Sequence, residues 1–372
     1  MASRLRLFTR RFFIYINVIV ALVFGLACLV PHLDPRHWWF ISFLGLAFPF
    51  LLLAVLFFLL GWLMILRPRP ALISFAALLI GYKSISVFLA FHQPHSFNYA
   101  RSPGTIRVLT WNVARFIELK RNTNKGSETR LKMLDLLKQQ NADVLCLQEF
   151  HTSTNPAFYD NIRAVQDLGY PYYYFSFDQD GDQHYYSSAI FSRFPIIDSG
   201  RVRYPRPSLP DVLLHADIRV GRDTLRFYTT HLQSLQFNRH DYERIEKIKT
   251  VEDSLLANSK GILSKLKKGI TYRSIQADIV HEVMGNSPHP YLLCADLNDV
   301  PNSYTYFTVR GDLQDAFLKK GTGVGRTFTS LSPTLRIDYI LADPRLDIRQ
   351  FRRITRQYSD HFMLLADLAI KK

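Results

Sequence analysis

A chain of 372 residues with 48% hydrophobic and 21% charged side chains is too apolar to be a disordered polymer, and its three cysteines exclude a disulfide framework. Its 46 basic side chains outnumber 31 acidic ones, for a formal net charge of +15. That excess suits a polyanion or an anionic membrane surface but names neither.

The first hundred residues differ in kind from the rest. Residues 12–30 and 38–66 are runs of 19 and 29 residues without a charge, and 71–91 is a third apolar run carrying only Lys83. A helix of about 20 apolar residues crosses a hydrocarbon core of about 30 Å, so three spans are expected near 12–30, 38–66 and 71–91. Two further long runs after the first argue against a cleaved signal peptide. The second run is long enough to tilt, to kink at Pro49, or to leave Trp38 and Trp39 at the interface. Arg4, Arg6, Arg10 and Arg11 precede the first run, and Arg67 and Arg69 lie between the second and third. Basic short loops stay in the cytoplasm, so the expected location is an inner or plasma membrane with the remainder of the chain on the extracytoplasmic side. Lys83 is the unfavourable residue in that topology, and it lies near enough to the exit end to snorkel.

Residues 101–372 are long enough for one large domain with a well-buried core. They carry 38 basic and 30 acidic side chains. Runs 105–111 and 143–147 have strand length and β-branched content, and between them Leu131, Met133, Leu134 and Leu137 recur at helical spacing over Glu128–Gln140. Further strands are predicted over 188–192, 225–230, 291–295, 336–341 and 362–368. A helix is predicted over 272–284 with Ile275, Ile279 and Val283 on one face. Residues 233–270, with Lys247, Lys249, Lys265, Lys267 and Lys268, form a partly helical insertion that could cover a site or simply present a solvated basic face. The aromatic stretch 170–186 could stack on bases, enter a lipid interface, or alternate into a strand core. Cys146 and Cys294 sit inside apolar runs and are expected as buried thiols.

Polar clusters end several of these apolar runs: Thr110-Trp111-Asn112, Leu147-Gln148-Glu149, Thr230-His231-Leu232, Asp296-Leu297-Asn298, Ile337-Asp338-Tyr339 and Ser359-Asp360-His361. Together with the segment Ala189-Ile190-Phe191-Ser192-Arg193-Phe194-Pro195, their order over residues 104–372 resembles the endonuclease/exonuclease/phosphatase superfamily. The resemblance implies a four-layer α/β sandwich whose strand ends share one rim, and hydrolysis of phosphate esters with Mg²⁺ or Mn²⁺. Hard oxygen donors suit those ions.

By that resemblance Glu149 is the expected metal ligand, with Asn112 and Asp360 as further donors. Asp338 orients His361, which acts as general base or steadies the phosphate, and Asp296 is the competing base. Asn298 holds a phosphate oxygen or the water, and His231 contacts the phosphate or protonates the leaving group. The family departs from this chain at Ala295, where glycine is frequent, and at Ser188. A phosphodiester in a nucleic acid or a lipid head group is the implied substrate, with the nuclease reading ahead of a sphingomyelinase-like lipid phosphodiesterase or a phosphatase. A non-catalytic binding member of the fold is the second alternative. The bilayer is the other expected partner, through the N-terminal helices, and no protein partner is evident.

Overall fold

Long apolar runs satisfy their backbone as helices, and the first two do so over nearly their whole length. In the computed structural model, which describes residues 2–93, 96–116, 128–205, 212–235 and 255–371, helix α1 is Ala2–Leu29 and helix α2 is Pro35–Met64. The Asp34 side chain accepts the Arg36 N–H at 2.9 Å and Pro35 opens the helix, which together fix where α2 begins. Phe24 stacks on Phe48 near one end of the pair, while Arg10 and Phe13 neighbour Phe57 and Trp62 at the other, so α1 and α2 run antiparallel. Inside α2 the departure from helical dihedrals falls at Trp38 (φ −112°, ψ 28°), not at Pro49.

The third apolar run is broken. Helix α3 (Pro68–Ile80) and helix α4 (Tyr82–Phe88) are bent by 64° at Gly81. A Cβ at Gly81 would lie 2.5 Å from Phe24 Cε1, so the bend rests on a close approach to α1 that only glycine permits. Among the described residues, two helices are long and apolar enough to cross a membrane, or three such spans if the bent pair counts as one. The run ends as a short strand, β1 (Ala90–Phe91), which pairs antiparallel with β11 (Thr322–Gly323).

The rest is a four-layer α/β sandwich. One sheet has the order β13 (Leu346–Ile354), β14 (Met363–Ile370), β2 (Thr105–Asn112), β3 (Val144–Ser153), β5 (His184–Ser192), β4 (Tyr172–Phe175). The other has the order β10 (Gln314–Asp315), β12 (Asp338–Ala342), β9 (Tyr291–Asp296), β8 (Asp223–His231), β7 (Val212–Val220), β6 (Ile196–Arg203). Each sheet contains one parallel pair, β2 with β3 and β8 with β9, and is otherwise antiparallel. Alternate residues face opposite layers, as the two-residue period of a strand requires. Val108, Val144 and Cys146 meet Leu214, Phe227 and Cys294 between the sheets. Leu109, Leu145 and Phe191 pack outward on helix α5 (Glu128–Gln140) and helix α6 (Asn161–Gln166). Tyr228, Leu293 and Leu341 pack on helix α7 (Leu255–Gly285) and helix α8 (Tyr304–Arg310). Helix α9 (Ala316–Lys320) follows β10, capped by the Asp315 carboxylate.

Two helical faces differ from the sequence reading. On α5 the buried stripe is Met133, Leu134, Leu136 and Leu137, while Leu131 is 49% exposed at the helix start. On α7 the deeply buried face is Arg273, Ala277, Val280 and Met284, with Ile275, Ile279 and Val283 at its margin. The helix also begins at Leu255 instead of 272, because Ile262, Leu266 and Ile270 extend its apolar face N-terminally. The expected insertion thus becomes, over 255–270, the first half of α7. Residues 236–254, with Lys247 and Lys249, lie outside the described residues. The aromatic stretch divides: Phe175 and Tyr186 are buried, whereas Tyr172, Tyr173 and Phe177 remain partly exposed.

The N-terminal helices dock directly on the sandwich. Asn302 Nδ2 donates to the Ala27 carbonyl at 2.9 Å, Arg336 Nη2 donates to the Val87 carbonyl at 2.5 Å, and Arg36 pairs with Asp278 at 3.1 Å. Gly45 on α2 lies so close to the Asn302 carbonyl that a Cβ would stand 2.4 Å from it.

Candidate active site

Register alone brings most of the predicted residues together. In the second sheet His231 is paired with Asp296 and Asp296 with Asp338, so three neighbouring strands end side by side with these groups. In the first sheet Asn112 is paired with Gln148 at the same rim. The fully buried Gln148 amide ties the two sheets, donating to Thr110 Oγ1 at 3.0 Å and to Thr229 Oγ1 at 2.9 Å. Its neighbour Glu149 sits where β3 slips register against β5, with φ +49°. The irregularity turns the Glu149 carboxylate toward the rim, in the way bulges re-aim side chains at functional sites.

Asp296 is the hub of the cluster. It is fully buried, and its Oδ1 accepts the Asn298 N–H at 2.9 Å while its Oδ2 accepts Asn112 Nδ2 at 3.0 Å. The first bond closes a turn that holds Asn298 at φ +51°, a conformation asparagine tolerates. The Asn298 amide then reaches His231 Nε2 at 2.9 Å and the Leu232 carbonyl at 2.9 Å. Asn112 Nδ2 also reaches Glu149 Oε1 at 3.2 Å, so one amide bridges two carboxylates, and Asn112 Oδ1 accepts the Ala114 N–H at 3.0 Å. His231 Nε2 lies 3.6 Å from Glu149 and 3.8 Å from Asp296.

His361 Nδ1 lies 3.0 Å from both Asp338 oxygens and 3.7 Å from Asp296. Burial opposes a charge on this ring, but the Asp338 and Asp296 carboxylates prevail and lift its pKa to about 10. The two carboxylates thus favour the protonated imidazole. Asp296 moves up from the ordinary carboxylate range, first by burial and then by the Asp338 charge. The segment is held from behind: Trp111 Nε1 donates to the His361 carbonyl at 2.9 Å and Ser359 Oγ donates to the Asn112 carbonyl at 2.8 Å. Asp360 is half-exposed, with its Oδ1 4.0 Å from His361 Nε2.

Glu149, Asp296, Asn298, Asp360 and His361 line one cavity of about 610 Å³. The sequence reading missed a further residue of its wall, Arg273 on α7, which is buried and lies 3.3 Å from Asp299. It sits within an otherwise amphipathic helix, and a lone arginine on such a face carries no motif. The signal that could have marked it is its position on the buried side, where an unpaired charge is rare.

A model of the endonuclease/exonuclease/phosphatase family matches residues 109–361. This chain belongs to that family. A second model, a domain of unknown function, matches residues 10–88. Among solved structures, an endonuclease/exonuclease/phosphatase from Beutenbergia cavernae DSM 12333 is similar at 19% identity and TM-score 0.51, over 72% of each chain. The catalytic domain of human Nocturnin with bound sulfate is 17% identical at TM-score 0.49, over 72% of this chain and 95% of that one. Humanized D. rerio TDP2 is 16% identical at TM-score 0.48, over 71% of this chain and 99% of that one. At these identities the likeness is one of fold. No curated protein matches the chain.

Members of the endonuclease/exonuclease/phosphatase family are generally phosphoesterase hydrolases, typically with a divalent metal, and the residues here fit one. Among the described residues, Asp296, Asp338 and His361 bring possible ligand atoms within 4.8 Å of one another. The Nδ1 of His361, however, is already engaged with both Asp338 oxygens. Glu149, partly open to the cavity beside Asn112, offers the hard oxygen that Mg²⁺ or Mn²⁺ prefers.

Proposed function

We propose that this chain is a membrane-anchored, divalent-metal-dependent phosphoesterase that hydrolyses phosphodiester bonds, with residues 1–100 as the anchor and 101–372 as the catalytic part. The carrying observation is Asp296, a buried carboxylate on one cavity wall, set among the His361–Asp338 pair, the Asn298–His231 pair and the Asn112–Glu149 pair. A divalent cation held by Glu149, with Asn112 and Asp360 beside it, would neutralise phosphate charge as the transition state forms.

The remaining chemistry falls to side chains. Water adds its oxygen to phosphorus, one ester P–O bond breaks, and the leaving oxygen takes a proton. Asp296 is the better base of the two candidates, since the Asp338 and Asp296 carboxylates favour the protonated form of His361 while burial raises the pKa of Asp296. The His361 cation, oriented by Asp338, suits stabilisation of a phosphate oxygen. Asn298 and His231 stand where they would hold the water or a phosphate oxygen. The anchor geometry supports an extracytoplasmic catalytic part, because the α1–α2 connection lies on the sandwich while Arg6, Arg10 and Arg67 gather at the opposite end.

Hydrolysis of bis(p-nitrophenyl) phosphate by the detergent-solubilised full chain tests this reading. Chelation should abolish release of nitrophenol, and Mg²⁺ or Mn²⁺ should restore it. Glu149→Gln should raise the metal concentration needed for half-maximal rate by about 10- to 100-fold, the usual range for loss of a metal-site group. An unchanged metal requirement in that variant removes Glu149 from the site.

A further inference from the structure

The apolar side of the active-site cavity is built partly from the membrane anchor. Leu46 and Phe50 of α2, Ile262 and Leu266 of α7, and Phe328 and Leu331 all line it. A site that handled only a hydrated polyanion would have no use for such walls, since apolar surface does nothing to hold phosphate.

The path out of the cavity is also apolar. Leu46, Phe50, Leu53 and Phe57 recur at helical spacing along one face of α2, and they are 38%, 59%, 64% and 69% exposed. This stripe begins in the cavity and runs about 16 Å along the helix, at 1.5 Å per residue. Its residues belong to a segment long and apolar enough to cross a bilayer.

The length of α2 sets the level of the cavity. Thirty residues make a helix of about 45 Å, some 15 Å more than a hydrocarbon core of about 30 Å. The surplus belongs at the N-terminal end. There Arg36 pairs with Asp278, Lys267 lies 4.9 Å from the Trp39 ring centroid, and Gly45 touches the Asn302 backbone. With that end outside, the hydrocarbon begins near Gly45 and Leu46, which is the level of the cavity mouth.

We infer that the substrate is a phosphate ester carrying a long apolar chain, presented from the bilayer, with its phosphate in the Asp296 cluster and its chain along the Leu46–Phe50 face of α2. This rests on the phosphodiester-hydrolase reading and narrows it. The nuclease preference of the sequence reading becomes the competing outcome. The reaction consumes only the ester and water: a P–O bond to the leaving group breaks, a P–O bond to water's oxygen forms, and the leaving oxygen is protonated.

The test is a series of alkyl p-nitrophenyl phosphodiesters, from methyl through octyl to dodecyl, with a single-stranded DNA oligonucleotide as comparator. The full chain in detergent micelles, with Mg²⁺, is the enzyme. Burial of added methylenes should raise kcat/KM by about tenfold or more from methyl to dodecyl. Phe50→Asp, and independently Ile262→Asp, should bring the dodecyl-to-methyl ratio toward one. Rates independent of chain length in the unsubstituted protein overturn the inference, as does DNA cleavage faster than hydrolysis of the dodecyl ester. Both of those outcomes leave the hydrolase reading standing. Absence of hydrolysis across the whole series, methyl included, overturns the hydrolase reading and this inference with it.

Discussion

The chemistry proposed for this chain turns on two groups whose protonation is set by their neighbours. Asp296 is fully buried and faces Asp338, so its carboxyl is held more basic than an exposed aspartate, while His361 is held cationic by the same two carboxylates. Asp296→Asn and His361→Ala should each lower kcat by about 10²- to 10⁴-fold, the range of a lost proton-transfer or charge-stabilising group, with KM changing far less. A variant that alters only KM would relegate its residue to binding. A separate histidine gives a stability prediction. His151 on β3 stacks on His184 with ring centroids 5.4 Å apart, and burial, then His184 and Arg115, push its pKa down to about 4. The unfolded chain binds that proton near the ordinary 6.5, so between pH 6.5 and 4 the unfolded state carries more protons and stability falls as pH falls. The loss should be on the order of 2 kcal/mol after allowance for solvent screening. Thermal unfolding followed across that window should show it, and His151→Gln should flatten the slope. An unchanged slope in the variant places its origin elsewhere.

At the scale of elements, the strands that end in polar clusters were legible in the sequence because both of their signals are local. An apolar β-branched run marks the strand, and a polar residue at its end marks the rim. Those local signals placed the strands, but it was the order of the clusters and its resemblance to the endonuclease/exonuclease/phosphatase superfamily that singled out Asn112, Glu149, His231, Asp296, Asp338 and His361. What could not be read locally is the register slip that turns Glu149 at φ +49°, since it depends on which residue of β5 lies opposite. The same holds for Arg273, whose partner Asp299 and neighbour Gln233 are remote in sequence. The break at Gly81 and the docking of α2 at Gly45 depend on tertiary contact, so an apolar run of suitable length read as one straight span. Gly45 provides the element-scale prediction. Gly45→Val would force side-chain atoms into the Asn302 carbonyl, and overpacking of that kind costs about 1–3 kcal/mol. The expected result is a lower thermal midpoint and loss of protection of residues 300–304 in hydrogen exchange. Normal protection there would show that α2 does not bear on the sandwich at this point.

For the whole molecule, the decisive relation is which end of the helices meets the sandwich. The α1–α2 connection does: Ala27 accepts from Asn302, and the His32 ring lies 6.2 Å from the ring of Phe307. The opposite end gathers Arg6, Arg10 and Arg67, and short basic segments generally favour the cytoplasmic side. The bent pair α3–α4 starts from that basic end at Pro68, passes Phe24 and Cys28 at Gly81, and delivers Val87 to Arg336 on the sandwich. Broken or not, it returns the chain to the side where α1 ended. Lys83 lies beyond the bend and is exposed, nearer the sandwich than the basic end, so the one charge of the third run need not sit at the centre of the bilayer. The topology we propose has the N-terminus and residues 65–69 in the cytoplasm and residues 101–372 outside. Reporters fused after residue 372 of the full chain test it without removing any span. A phosphatase that folds only after export should be active there, and a fluorescent protein that folds only in the cytoplasm should be dark. The same reporters placed after residue 67 should give the opposite pair of signals. A bright cytoplasmic reporter at the C-terminus would show that α3 and α4 do not cross, and would set the catalytic rim against the inner leaflet.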